Sequence, residues 1–487
     1  MLSVLSRRVP APRATRLACC CVPRSSPSGR ALVDWALSDG ATVSPALAVN
    51  ATADNLRGVV ATRDVAPGEV LIALPPTCTA FSAASAQAEP YCELGATLLE
   101  MQATGDTPGD EAVLAAWLCL AYDSQPGGCA LRAYAHALPE ETPDLPALWP
   151  PHVAEALLPW FVLDAVDDSR NSFGESREAA AAILRRLPQP SMPSAVRLHW
   201  AVAHVRARAV RYNVRKASGE LAWSKSLMPI VDTQNHATSP LERAGAAPML
   251  EQAGFSPQEV DAVTGSCGPA TSVAFSGGGA SWVAARPIPA CTHVTWTYGP
   301  LSNVQLLLQF GFVPTPALHQ DSVVELTIPE SVILDALDRS PVSDAAVDGC
   351  RRSLLTDAGA LNMLQGEQMV FEVKPCFAPE ALMAVCGAIA LQTDVEWRLY
   401  SSTDDEGEQA PAGGEHAARA QALASSVLEV AAQRWCGDCP PMPEEPADDT
   451  TRRRAAAALA LWQATKDTLR TGAVAALRAP VPRLQTD

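Results

Sequence analysis

The spacing of apolar positions changes several times along the chain, and each change marks an expected element. Gly58 to Arg63 is apolar and bounded by polar residues, and Val70-Leu71-Ile72-Ala73-Leu74 is a second short apolar run ended by Pro75-Pro76. With the turn signal Ala66-Pro67-Gly68-Glu69 between them, the two runs read as a hairpin. From about Tyr91 the apolar positions recur at helical spacing, over Cys92–Met101, Glu111–Tyr122, Ser176–Leu187 and Pro193–Tyr212. Strands return at Ser272–Phe275, Ser281–Arg286 and His293–Tyr298, after an Ala-, Gly- and Pro-rich stretch, 238–270, that reads as a loop insertion. Asn303–Phe310 is a short apolar helix with Gly311 as its C-cap. Beyond Pro314 one strand, Val323–Ile328, precedes Ala-rich helical patterns at Asp344–Ala358, Pro379–Gln392, Glu415–Arg434 and Thr451–Leu477. The order gives an α+β chain: a β-rich core split by a helical insert, then an all-α C-terminal domain.

Composition adds limits. At 487 residues the chain is long enough for two or three domains with sizeable cores, and 48% hydrophobic with 18% charged content is globular. A formal net charge of -17 and the lack of a Lys/Arg run argue against nucleic-acid binding. No stretch of about 18 apolar residues occurs, so no membrane span is expected. The fourteen cysteines form no paired framework. Residues 1–33 hold Arg7, Arg8, Arg13, Arg16, Arg24 and Arg30 and no acid before Asp34. That composition reads as an organelle transit peptide, plastid or mitochondrial, with a tail on a cytosolic protein as the alternative. Cys436-Gly437-Asp438-Cys439 has the spacing of a thiol-redox motif, but it ends a helical pattern where that motif opens one.

The chemistry lies in distant segments. One reads Leu227-Met228-Pro229-Ile230-Val231-Asp232-Thr233-Gln234-Asn235-His236, and the other runs from His293 through Tyr298-Gly299-Pro300-Leu301-Ser302-Asn303 to Phe310-Gly311-Phe312-Val313. Asn55-Leu56-Arg57-Gly58 precedes the first strand, and Trp200-Ala201 is followed by Arg206-Ala207-Arg208 on a helical pattern. Each alone has an ordinary structural explanation. Asn235-His236 is a satisfied polar pair, Asp232 a helix N-cap, Gly58 a turn glycine, Arg208 a solvated surface cation and Tyr298 a buried strand phenol. Together, in this order, they resemble the SET-domain protein-lysine methyltransferases of the Rubisco large-subunit type. The stretch from Leu138-Pro139 to Leu148-Trp149-Pro150 is similar to the helical insert of that family.

The resemblance implies a SET domain over 48–313, with its insert about 86–221, and a helical substrate-binding domain over 320–480. It implies S-adenosylmethionine as cofactor, a protein substrate docked by the C-terminal domain, and a monomer. Rubisco or another plastid enzyme is the substrate it suggests, and the chloroplast the location, with mitochondrion or cytoplasm as alternatives. Asn55, Leu56, Arg57, Gly58, Arg208, Asn235 and His236 would contact the cofactor. Tyr298 would be catalytic, and Asp232, Tyr212 and Phe310 would shape the substrate side. Four positions depart from the family, the mildest being Ala237, where a Ser usually follows the Asn-His pair. Asn55 replaces an acid, Tyr212 stands where a further Arg is frequent, and Phe310 stands where Tyr is common. Loss of the hydroxyl at 310 either opens room for further methylation or weakens the hold on the lysine. A histidine acceptor, and a SET fold that binds cofactor without turnover, are the alternative functions.

Overall fold

The computed structural model describes residues 23–53, 56–75, 81–87, 93–126, 128–129, 131–188, 192–215, 221–265, 268–276, 279–328, 330–339, 369–390, 414–436 and 448–481. Two apolar cores organise them. The larger runs from Leu32 to Val294 and the second from Val324 to Val481. Strands β1 (Thr42–Val43), β4 (Val70–Leu74), β10 (Gly279–Ala284) and β9 (Thr271–Ser276) form one sheet in the order β1-β4-β10-β9. β2 (Leu47–Ala53) pairs with β3 (Leu56–Ala61), and β5 (Phe81–Ser82), β7 (Leu221–Leu227) and β6 (Val210–Arg215) form a third sheet.

The hairpin expected between Gly58–Arg63 and Val70–Leu74 is absent. Both flanks of β3 are already engaged, one by β2 and the other by 292–294, where Ala61 N–H reaches Thr292 O at 3.0 Å and Val294 N–H reaches Val59 O at 2.8 Å. The turn at Pro67-Gly68 forms, with Gly68 at φ +82°, but it hands the chain from one sheet to another. Residues 238–270 are not a loop either. They hold helices Arg243–Gln252 and Pro257–Thr264, whose Leu250, Val260 and Val263 bury a satellite core. Their Gly and Pro content hid that period.

The expected helix Pro193–Tyr212 runs as Ala195–Arg208, after which the β-branched Val210 and Val214 enter strand β6, with Tyr212 opposite Ser224. The expected leader over 1–33 overlaps folded structure. Helix Pro27–Ser38 is capped by Ser26, buries Gly29, Leu32 and Ala36, and lies so close to β2 that a Cβ on Gly29 would stand 2.2 Å from Val49 O. Ser25 Oγ also accepts from Val49 N–H at 2.9 Å.

Helices Glu380–Ile389, Glu415–Cys436 and Asp449–Ala476 build the second core beside a two-stranded sheet, β12 (Val324–Ile328) against β13 (Met369–Val373). The expected helix Asp344–Ala358 and Cys439 lie outside the described residues; Cys436 is the buried last residue of its helix. The helix Asp449–Ala476 locks the two bodies together. Arg454 grips Asp144 at 2.7 and 2.9 Å, and Trp462 Nε1–H donates to Leu157 O at 3.0 Å. Among the described residues no helix is long and apolar enough to cross a membrane.

One buried ion cluster ties the insert to β7. Glu111 accepts from Arg206 at 2.6 and 3.0 Å and from Lys225 Nζ at 2.7 Å. Burial alone would raise its pKa, yet Lys225 and Arg206 outweigh burial and hold the carboxyl below its usual range. The folded state therefore favours ionised Glu111. That stability is full above the ordinary carboxylate range and is lost as pH falls through the depressed value. Glu111→Ala strands the nearly buried Arg206, and is expected to cost about 3 kcal/mol in urea unfolding at neutral pH. The gap to wild type should narrow in acid; a gap independent of pH would count against the ion cluster.

Candidate functional site

Parallel pairing of β8 (Asn235–His236) with β11 (Thr295–Trp296) carries Tyr298 to His236 across 62 residues of sequence. Tyr298 N–H donates to His236 Nδ1 at 3.1 Å, and the two rings lie 5.0 Å apart. The Tyr298 hydroxyl donates to Gln234 O at 3.0 Å. Phe310, the last residue of helix Asn303–Phe310, packs 4.6 Å from the phenol, with Trp296 5.7 Å away on the strand side. Ser302 and Gln305 form the capping box of that helix, and Gly311 ends it at φ +79° as the sequence indicates. Burial pushes the Tyr298 phenol up to about 12, against a downward pull from Arg208 and with a smaller push from Asp232. It stays protonated at any neutral pH.

His236 is the complement. Its Nδ1 accepts from Tyr298 N–H, and burial pushes its pKa down to about 4, so the ring is neutral with its proton on Nε2. That Nε2–H is buried and has no hydrogen-bond partner among the described residues, as is Gln234 Nε2. Buried unpaired donors are costly, and the His236 donor, next to the Tyr298 ring, can take an acceptor from outside the chain. The backbone leading here is strained. Ile230, β-branched, sits at φ +70° before the short 3-10 turn Val231–Thr233.

Asn235 faces β3. Its Nδ2 donates to Arg57 O at 3.2 Å and lies 3.4 Å from His293 Nδ1, while His293 Nε2 stands 3.0 Å from Ala53 O. Gly58 makes this possible, because a Cβ there would meet Asn235 Nδ2 at 2.7 Å and His293 Nδ1 at 3.1 Å. Gly58→Ala is expected to displace the Asn235 amide and weaken cofactor binding about tenfold by calorimetry, with little change in thermal midpoint. Unaltered affinity would remove Gly58 from the site. Leu56 and Arg57 lie exposed at the start of β3. Burial, and then Arg208, lowers the Arg57 pKa. Asn55 lies outside the described residues, as does the Tyr212 side chain.

Arg208 is the last residue of its helix and turns toward Asp232. Nη1 donates to Asp232 O at 3.1 Å and approaches Oδ2 at 3.5 Å, and Nε donates to His204 Nδ1 at 3.3 Å. Nη2 has no partner among the described residues. Asp232 caps no helix. Its Oδ2 accepts a short hydrogen bond from the buried Tyr134 hydroxyl, and Oδ1 is buried and unpaired. Burial raises the Asp232 pKa, against Arg208 and Tyr134. Burial and Arg208 press His204 down to about 3, so it accepts from Arg208 and gives Nε2–H to Glu141 O at 3.1 Å. Tyr134, His204 and His293 were missed in the sequence. Each supports a site residue from a remote segment, and no local pattern signals it. Asn303 plays a structural part, donating to Ala317 O at 2.7 Å and accepting from His319 at 3.0 Å.

Comparison with known proteins follows the same lines. No family model matches the chain and no curated protein matches it. Solved structures do. The SET domain of LSMT bound to lysine and AdoHcy aligns at TM-score 0.52 and 16% identity over 92% of this chain and 91% of the other. Rubisco LSMT bound to AdoMet aligns at TM-score 0.52 and 15% identity over 93% and 92%. Rubisco LSMT bound to sinefungin and monomethyllysine aligns at 0.52 and 16% over 91% and 90%. The chain has the SET-domain fold of the Rubisco LSMT structures, along almost its whole length.

Proposed function

We propose that the protein is an S-adenosylmethionine-dependent N-methyltransferase acting on a lysine side chain of a protein. The observation that carries the reading is the meeting of Tyr298 with the imidazole of His236, whose Nε2 donor is unpartnered among the described residues, next to the Asn235 amide that the absence of a side chain at Gly58 admits. The residues suit the cofactor named in the similar structures, AdoMet. His236 Nε2–H and the Asn235 amide would hold its adenine, the main chain at Leu56, Arg57 and Gly58 would lie against it, and Arg208 Nη2, unpartnered among the described residues, would take its carboxylate. When bound, it supplies a methyl group on a sulfonium.

The rest is the work of this chain. A free lysine amine is protonated below about pH 10.4, so the acceptor must arrive neutral. Tyr298, with a pKa about 12, is no base at neutral pH. Its proton is committed to Gln234 O, which leaves its oxygen lone pairs to accept from the amine and fix the direction of attack. The rings of Phe310, Phe312 and Trp296 around it exclude water and pack the lysine stem. Phe310, in place of a second phenol, offers no hydroxyl to restrain the amine after one transfer, so multiple methylation is the expected product.

A SET domain over 48–313 would take in most of the first apolar core, which begins earlier, at Leu32, a substrate-binding domain over 320–480 would take in most of the second, and the C-terminal body would dock the protein acceptor. A plastid enzyme such as Rubisco is the substrate class the fold suggests. Any organelle leader would end before Ser25, because the chain from there is packed into the core. Calorimetric titration with S-adenosylmethionine, followed by labelled-methyl transfer to an organelle extract, tests the reading. Binding without transfer would leave a silent binder; no binding would end the proposal. Amino-acid analysis of the labelled product separates methyllysine from methylhistidine.

A further inference from the structure

A groove of about 1240 Å³ begins two residues past Tyr298, at Pro300, and continues along the helix Asn303–Phe310 to the second body. Its other walls are the start of helix Trp160–Arg186 and the β12–β13 sheet with the turn that follows it. It exceeds the roughly 300–1,000 Å³ of ordinary small-molecule pockets. The charged residues lining it are Asp164, Asp321, Glu325, Glu372 and Glu380, against Lys374 alone. Among the described residues no ion pair joins any of the five carboxylates.

Two of these carboxylates stand where folding alone would not place them. Glu325 and Glu372 are directly opposite in the β12–β13 ladder, and both are exposed. Like charges facing across a ladder destabilise the pair, and an opposite charge at either position would remove the penalty. The groove also exposes large aromatic surface. Trp160 is 55% exposed and Phe377 65%, and Trp160 lies 6.3 Å from the buried Trp435. Apolar rings beside unpaired carboxylates suit the long stems and cationic heads of Lys and Arg.

We propose, resting on the transferase reading above, that this groove docks a basic, extended segment of the protein that carries the acceptor lysine. The contact delivers the segment to Tyr298 and selects against acidic partners.

The full chain should bind a fluorescein-labelled Lys- and Arg-containing peptide, by anisotropy, and not its Asp- and Glu-containing counterpart of equal length. Affinity should fall with added salt. Glu325→Lys with Glu372→Lys should weaken binding about tenfold or more, with S-adenosylmethionine affinity unchanged. Glu325→Gln with Glu372→Gln guards against misfolding. It relieves the like-charge contact, so the thermal midpoint should hold or rise while peptide affinity still drops. Cationic peptide that fails to bind, or that binds both double variants as it binds wild type, overturns the proposal. Peptide binding seen only after residues 1–22 are deleted overturns it too, by assigning the groove to the chain's own basic segment. The two readings fail separately. Methyl transfer to a protein acceptor with KM unmoved by the double variants sinks the docking groove alone, whereas groove-dependent peptide binding without S-adenosylmethionine binding sinks the transferase alone.

Discussion

Tyr298→Phe is expected to lower kcat about 100-fold or more while S-adenosylmethionine affinity stays within about threefold. The phenol donates to a main-chain carbonyl, Gln234 O, and packs edge-on or tilted among Trp296, Phe310 and Phe312. Phenylalanine keeps that packing. It loses the hydrogen bond, which costs about 1 kcal/mol of stability, and it loses the lone pairs that would steer the amine. The pH profile adds a second readout. Since burial holds the phenol at about 12, wild-type turnover should rise with deprotonation of the acceptor amine and show no separate limb from the enzyme. The variant should keep that shape at lower amplitude. Were Tyr298 a base, its removal would change the shape. Single-turnover methyl transfer across pH 7 to 10 measures both, and unchanged turnover in a working assay refutes the role.

The pattern of the chain marked the segments that meet at the candidate site better than it marked the fold around them. Tyr-Gly-x-x-Ser-Asn and Asn-His are local strings, and the structure brings them together through the β8–β11 pairing. The capping box at Ser302 and the αL glycine at 311 are likewise written in adjacent residues. Strand pairing is not. A period of two says that Gly58–Arg63 and Val70–Leu74 are strands, but it carries no information on which edge each will meet. Helices hidden by Gly and Pro, such as Arg243–Gln252 with Pro248 inside it, escape a reading based on composition. Supporting residues escape for another reason. Tyr134 belongs to a six-residue helix with no motif, and only tertiary packing places its hydroxyl on Asp232, 98 residues away.

Arg208→Ala should do the most damage, and it should do two kinds. Asp232 is buried and already pushed up by burial; Arg208 is the main cation that opposes this. Without it the carboxylate keeps the Tyr134 hydroxyl and the weaker pull of Arg57, and the loss is expected to be about 3–5 kcal/mol at neutral pH. A raised carboxyl pKa gives the sign. The deficit should be small below the ordinary carboxylate range, where Asp232 is protonated in both states, and should grow as pH rises through the raised folded value. Adding Asp232→Asn removes the stranded charge, so the double variant should recover most of that stability in urea unfolding. It should not recover S-adenosylmethionine binding, expected to stay weaker by about 100-fold, because the Nη2 that would meet the cofactor carboxylate is gone. The split between the two readouts separates an arginine that only balances Asp232 from one that also holds ligand. Recovery of affinity in the double variant would confine Arg208 to the first role.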